Sequence, residues 1–203
     1  LETINEIKSD CLFVLMGGKH IKLKGKAFTN IFNYANSNLK SDKNDFLLIN
    51  YCDAHIGTTS GPSHHMLTTN KPVLYINWYP FDFSSKNDLS IIMPKIVKKK
   101  TGEIFSPKNY FQIKPKIFYD GIERMKNYDL YYEDNSQEDL LLATNKFVQS
   151  LKPNWKNYGI KYLIKSKNYD FHGIPSDLNN LVLNSRKRIY LEPNFVKKYK
   201  NYI

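Results

Sequence analysis

Cysteine is scarce. Cys11 and Cys52 are the only two in 203 residues, which excludes a disulfide framework, and they do not make a Cys-x-x-Cys zinc spacing. Both stand among apolar neighbours and read as buried thiols. No run approaches the roughly 20 apolar residues that cross a bilayer, and no secretory signal peptide is visible. The default expectation is a cytoplasmic domain. Arginine is nearly missing as well: against a net charge of +11 stand only Arg124, Arg186 and Arg188, so the positive excess is lysine. Lysine abundant together with Asn, Ile, Tyr and Phe is what AT-rich codon usage produces. A diffuse lysine excess reads as a solvated surface, so no nucleic-acid partner is expected. Phosphorylated ligands, or anionic headgroups met at the inner face of a membrane, remain compatible with it.

What is present is enough apolar residue, 41% of the chain, to pack one large domain or one domain with an appended segment. Leu1, Ile4 and Ile7 recur at helical spacing ahead of the first strand. With Leu1 in first place, this reads as a chain lacking an N-terminal portion. Residues 11–16 form an apolar strand stopped by Gly17 and Gly18. Residues 27–36 look helix-like or irregular, residues 40–44 a polar turn, and residues 45–51 a short helix packed behind the next strand. Ser136, with Asp139 three residues on, opens the clearest helix, whose apolar face carries Leu140, Leu141, Phe147, Val148 and Leu151 before Pro153 ends it. Alternating helix and strand is the pattern of a doubly wound α/β sheet. The expected organisation is a Rossmann-like domain over residues 1–151 and a mostly helical or irregular extension over residues 152–203, closing on a short basic helix.

The chain is organised around residues 52–80. A short apolar run ends at Ile56 and Gly57, small polar residues follow at Thr58, Thr59, Ser60 and Gly61, and Pro62 suits the first position of a helix. Val73, Leu74, Tyr75 and Ile76 then make a β-branched and aromatic strand. This is strand, loop, helix, strand, with a crossover that lays two parallel strands side by side. A loop of that kind offers unpaired amides at a helix start and lies outside the carboxyl ends of the strands, where ligands of open α/β sheets collect. An anion is its natural occupant; the same residues also serve as a plain turn. No Gly-Lys-Ser/Thr follows, so a P-loop is not supported.

Other candidates surround it. Gly17 begins a Lys-rich loop, residues 17–25, at the carboxyl end of the first strand, where Lys19 and His20 either reach a ligand or face water. His64 and His65 are adjacent, not the i, i+4 pair of a metal site; one of them, His64, could stand beside a phosphate or on a polar helix face. Lys95 is a lysine held between apolar residues. Residues 77–88 are aromatic-rich, with Trp78, Tyr79, Phe81 and Phe83 able to stack on a planar base or to plug the core edge.

In this order the motifs resemble the C-terminal half of a family of bacterial glycosyltransferases with the GT-B fold. The likeness rests on Val14, Leu15, Met16 and Gly17; Tyr34, Ala35, Asn36 and Ser37; Ile56 through Pro62; Lys71, Pro72 and Val73 with Asn77; and Met93, Pro94 and Lys95. It continues through Gly102, Glu103, Ile104, Phe105 and Ser106, then Asp134, Asn135 and Ser136, to the terminal Leu191, Glu192, Pro193, Asn194 and Phe195. The resemblance implies a domain that binds a nucleotide-sugar donor. The diphosphate would be held by backbone amides of the loop and hydroxyls of Thr58, Thr59, Ser60 and Ser63, assisted by Lys95 and by Lys19 or His64, with Glu103 and Asp134 near ribose or sugar hydroxyls. It implies a glycan or lipid-linked acceptor, no cofactor and no required metal, and a catalytic base in a separate N-terminal domain. Two other readings stay open: a nucleotide-sugar epimerase of the same fold, and a noncatalytic basic domain that binds anionic glycolipid or membrane.

Overall fold

The computed structural model describes residues 11–18, 30–79, 89–106, 129–151, 156, 158–163 and 188–201. The leading helix, Lys19, His20, Phe81, Phe83 and the helix stop expected at Pro153 lie outside these residues. In chain order the described elements are β1 (Phe13–Val14), β2 (Ile31–Phe32), α1 (Asp42–Tyr51), β3 (His55–Gly57) and α2 (Gly61–His65), which runs into a 3-10 turn at Met66–Thr68. Then come β4 (Val73–Trp78), β5 (Ser90–Pro94), β6 (Ile96–Lys99), β7 (Leu130–Glu133), α3 (Gln137–Ser150), β8 (Ile160–Leu163), β9 (Arg188–Leu191) and α4 (Pro193–Lys198).

The main sheet is five-stranded, ordered β3, β4, β5, β9, β8. Strands β3, β4, β5 and β9 run parallel, and β8 closes the far edge antiparallel to β9. Side chains alternate across a strand, and here that alternation sorts them into two cores. Val73, Tyr75, Trp78 and Ile92 pack with Ile49 of α1 and Met66 behind α2. Leu74, Ile91 and Met93 pack on the other face with Ala143 and Phe147 of α3 and Phe195 of α4. The protein is thus α/β, a parallel sheet flanked by helices, and β4 and β5 read as near-continuous apolar runs because both of their faces are covered.

Local chemistry fixes the helix starts. Ser41 caps α1 by accepting from the Asn44 N–H at 3.2 Å, so the helix begins inside the stretch expected to be a polar turn. Ser136 caps α3 by accepting from the Asp139 N–H at 3.2 Å, as its spacing indicated. Glu192, fully buried, caps α4: one carboxylate oxygen accepts from the Phe195 N–H at 2.8 Å and the other from Asn194 Nδ2 at 3.1 Å.

Two expectations are corrected. Residues 11–16 do not form a buried strand; β1 is two residues long, pairs only with β2, and leaves Leu12 67% exposed because its one short partner covers little of it. Of residues 27–36, expected helix-like or irregular, Ile31 and Phe32 are that partner, and Tyr34–Asn36 form a 3-10 turn. Residues 160–163 and 188–191, expected in a helical or irregular extension, are strands of the main sheet. Leu191 registers against Ile92, and tertiary pairing decides strand identity in segments whose own periodicity is weak.

The carboxyl edge of the sheet is tied by an asparagine clasp. Asn77, with φ of 47°, turns the chain in the left-handed region that Asn tolerates. Its side-chain oxygen accepts from both the N–H and the Nδ2 of Asn135, each at 2.8 Å, while Asn135 Nδ2 also donates to the Pro94 carbonyl at 2.8 Å. The clasp joins the ends of β4 and β5 to the entrance of α3. Replacing Asn135, which is buried, with Ala leaves these acceptors short of donors, so Asn135→Ala is expected to lower stability by about 2–3 kcal/mol. Urea unfolding checks this through a lower midpoint at unchanged slope; an unshifted midpoint would show that the clasp supports nothing.

Candidate functional site

The 58–61 loop leaves the carboxyl end of β3 and enters α2 at the same edge as Trp78 and Pro94, the last residues of β4 and β5. Thr58, Thr59, Ser60 and Gly61 are exposed. Among the described residues the main-chain N–H groups of Thr59, Ser60 and Gly61 have no hydrogen-bond partner. Ser60 is the cap of α2: its carbonyl accepts from the His64 N–H at 2.9 Å, and its Oγ accepts from the Ser63 N–H at 3.4 Å. Five residues of helix sum few peptide dipoles. Attraction for an anion at this loop therefore rests on its hydroxyls and amides more than on helix charge.

The loop is anchored on two sides. Thr59 Oγ1 accepts from the Tyr79 N–H at 3.1 Å and donates to the Tyr79 carbonyl, which stitches the loop to the end of β4. Beneath it, Ser63 is fully buried and its Oγ lies 2.9 Å from Ser60 Oγ and 3.1 Å from His55 Nε2. Glycine at 57 makes the last contact available. A Cβ there would stand 2.5 Å from His55 Nε2 and 2.6 Å from Ser63 Oγ. His55 and Gly57, two apart on a strand, share a face, and the imidazole turns across the space that the missing side chain leaves. The Tyr75 hydroxyl donates to the Ser63 carbonyl at 3.0 Å and fixes the same turn from below. Burial raises the Tyr75 phenol far above its ordinary value and lowers His55 to about 4. The imidazole is accordingly neutral near pH 7, with one ring nitrogen a donor and the other an acceptor.

Lys19 apart, each predicted site residue has a definite place. Thr58 and Ser60 are exposed residues, and the hydroxyls of Thr59, Ser60 and Ser63 are all hydrogen-bonded within the protein. His64 faces its own helix cap, Nδ1 donating to the Ser60 carbonyl at 2.7 Å, with its ring 5.7 Å from that of Trp78. Pro62 is an early residue of α2. Lys95 is at this edge, its N–H donating to the Trp78 carbonyl at 3.0 Å and its ammonium 2.7 Å from Asp134. Glu103 belongs elsewhere in the fold, in the turn after β6, where it pairs with Lys99 at 2.7 Å. Gly17, φ 126°, follows β1, and no described hydrogen bond or ion pair joins it to the loop.

Three buried polar atoms at the edge have no partner among the described residues: Trp78 Nε1, the Tyr79 hydroxyl and Asn135 Oδ1. Trp78 and Asn135 are 1% and 4% exposed. Groups so buried are nearly always hydrogen-bonded, and exceptions gather where water or a ligand belongs. Tyr79 also stacks with Tyr132, ring centroids 3.9 Å apart. Among the described residues no group of three or more His, Cys, Asp or Glu side chains could hold a metal ion, and no helix is long and apolar enough to cross a membrane. Comparison of the chain with protein-family models, with curated proteins and with solved structures finds no match.

Sequence reasoning missed His55. The signal that could have found it is the His-x-Gly spacing at a strand end, followed by two serines three apart at a helix start. The pH dependence of stability tests its burial. A histidine lowered from about 6.5 to about 4 contributes no penalty above pH 6.5, and costs stability progressively as pH falls from there toward 4, because the unfolded chain takes up the proton first. Between pH 7.5 and pH 4.5 the loss assignable to His55 is about 2–3 kcal/mol. Urea unfolding at the two pH values is expected to show this loss in the natural chain and to show it reduced by that amount in His55→Gln; an equal loss in both would contradict the assignment.

Proposed function

We propose that this chain is the donor-binding half of a GT-B glycosyltransferase, taking a nucleotide-sugar at the carboxyl edge of its parallel sheet. The observation that carries the reading is the meeting, at the strand ends, of an exposed amide and hydroxyl loop with three buried polar atoms that have no partner among the described residues. The loop suits the diphosphate: the amides of Thr59, Ser60 and Gly61 and the hydroxyls of Thr58 and Ser60 are donors for its oxygens. Trp78 Nε1 is a donor and Asn135 Oδ1 an acceptor, each a group that a nucleoside or its bound water can satisfy. Lys95 stands beside the same edge as one half of an ion pair with Asp134.

The reaction that follows from such a donor is a displacement at the anomeric carbon. An acceptor oxygen forms the new bond, the bond from that carbon to the diphosphate oxygen breaks, and the electron pair departs with the nucleoside diphosphate. The acceptor proton passes to a base in the partner half of the enzyme. Donors aimed at the diphosphate stabilise the charge that grows on it as the bond breaks. The alternative of a basic face for anionic lipid gains little from the lysine cluster at Lys98, Lys99 and Lys100, since these are paired with Glu133, Glu103 and Asp129 at 2.7, 2.7 and 2.6 Å.

Calorimetric titration of the chain with UDP, GDP, ADP, CDP and dTDP tests the reading. One or more is expected to bind, and Ser60→Trp, which fills the loop mouth with a bulky ring, is expected to weaken binding by at least about tenfold, roughly 1.4 kcal/mol. Absence of binding by every diphosphate, or binding that Ser60→Trp leaves unchanged, would overturn it.

A further inference from the structure

Ser60, Ser63 and His55 form a hydrogen-bonded line from the exposed loop into the protein, through the 2.9 Å Oγ to Oγ contact and the 3.1 Å contact to Nε2. Each hydroxyl carries one proton, so the line has two consistent polarities. If Nε2 is the bare nitrogen, Ser63 donates to it and Ser60 donates to Ser63, which turns the Ser60 proton inward. If Nε2 carries the proton, it donates to Ser63, Ser63 donates to Ser60, and the Ser60 proton is left to point out of the loop. Ser60 Oγ already accepts from the Ser63 N–H. In the second polarity it also accepts from the Ser63 hydroxyl, so outward donation is what remains to it.

We propose that His55 is a positioning residue whose tautomer sets the direction in which Ser60 hydrogen-bonds, and that an oxyanion seated on the loop holds His55 in the Nε2–H form. The inference rests on the reading of the loop as a diphosphate site. An anion offers acceptors only. It therefore stabilises the polarity in which Ser60 donates outward and disfavours the one in which a lone pair of Ser60 faces it. Selection passes through fully buried Ser63, which touches both neighbours, and reaches an imidazole kept neutral by burial, for which a change of tautomer needs no net change of charge. Gly57 keeps the path open, as a side chain there would occupy the space between His55 and Ser63. A ligand hydroxyl both donates and accepts, so it fits either polarity and selects neither tautomer; only a ligand that offers acceptors alone fixes His55 in the Nε2–H form.

Nitrogen-15 NMR of the full chain, labelled at histidine and assigned with His55→Gln, reads the tautomer directly with and without saturating inorganic pyrophosphate. With pyrophosphate bound, His55 Nε2 is expected to resonate as a protonated, donor-type nitrogen. In Ser63→Ala, pyrophosphate affinity is expected to fall about five- to tenfold, and the His55 signal is expected to become indifferent to pyrophosphate. Pyrophosphate that binds, by calorimetry, while Nε2 remains an acceptor, or while Ser63→Ala transmits the same change, overturns the inference and leaves the diphosphate reading standing. Failure of pyrophosphate and of every nucleoside diphosphate to bind overturns both.

Discussion

The missing side chain at residue 57 is the constraint on which the rest of the edge depends. Without a Cβ there, the imidazole of His55 lies over the end of β3 and reaches Ser63; with one, contacts of 2.5 and 2.6 Å would force the two apart. Ser63 in turn holds Ser60, and Ser60 caps α2. The loop that presents amides and hydroxyls outward is therefore set by a buried contact beneath it, not by the loop's own composition. Buried polar groups of this sort are costly when half satisfied and rigid when fully satisfied. Here buried Ser63 bridges His55 and Ser60 through its one hydroxyl.

Around that point the fold does two things at once. The two apolar cores on opposite faces of the sheet bury all of β5 and most of β4, which fixes where their carboxyl ends stop. The Asn77 and Asn135 clasp then brings the start of α3 to those ends, and Thr59 ties the loop to Tyr79 next door. Loop, strand ends and helix entrance form one edge held by polar bonds over an apolar base. Beneath that edge Trp78, Tyr79 and Asn135 each keep a buried polar atom with no partner among the described residues.

Much of this was legible in the sequence and some was not, for physical reasons. The crossover unit from β3 to β4 was readable because Gly57, Ser60 and Pro62 are backbone punctuation and Val73 to Ile76 a β-branched run; the cap at Ser136 was readable because its partner lies three residues away. Strands β8 and β9 were not readable, since β9 takes its identity from pairing with β5 and β8 from pairing with β9, both across long sequence separation. The same limit applied to β1 and β2, where six apolar residues looked like a strand of the sheet and only two pair. At the site, the residue types pointed to the loop, yet which hydroxyls face outward was decided by Tyr79 and His55, and Glu103 was drawn into a turn by Lys99. The resemblance to glycosyltransferases supplied the substrate class; local pattern alone supplied only an anion.

The most direct measurement is a double-mutant cycle in urea between residues 57 and 55. If the glycine exists to admit the imidazole, Gly57→Ala lowers the unfolding free energy of the natural chain by about 1–3 kcal/mol, the usual range for overpacking. It then costs distinctly less once His55→Ala has removed the ring it strikes, with a coupling above about 0.5 kcal/mol. An equal cost in both backgrounds would contradict the account.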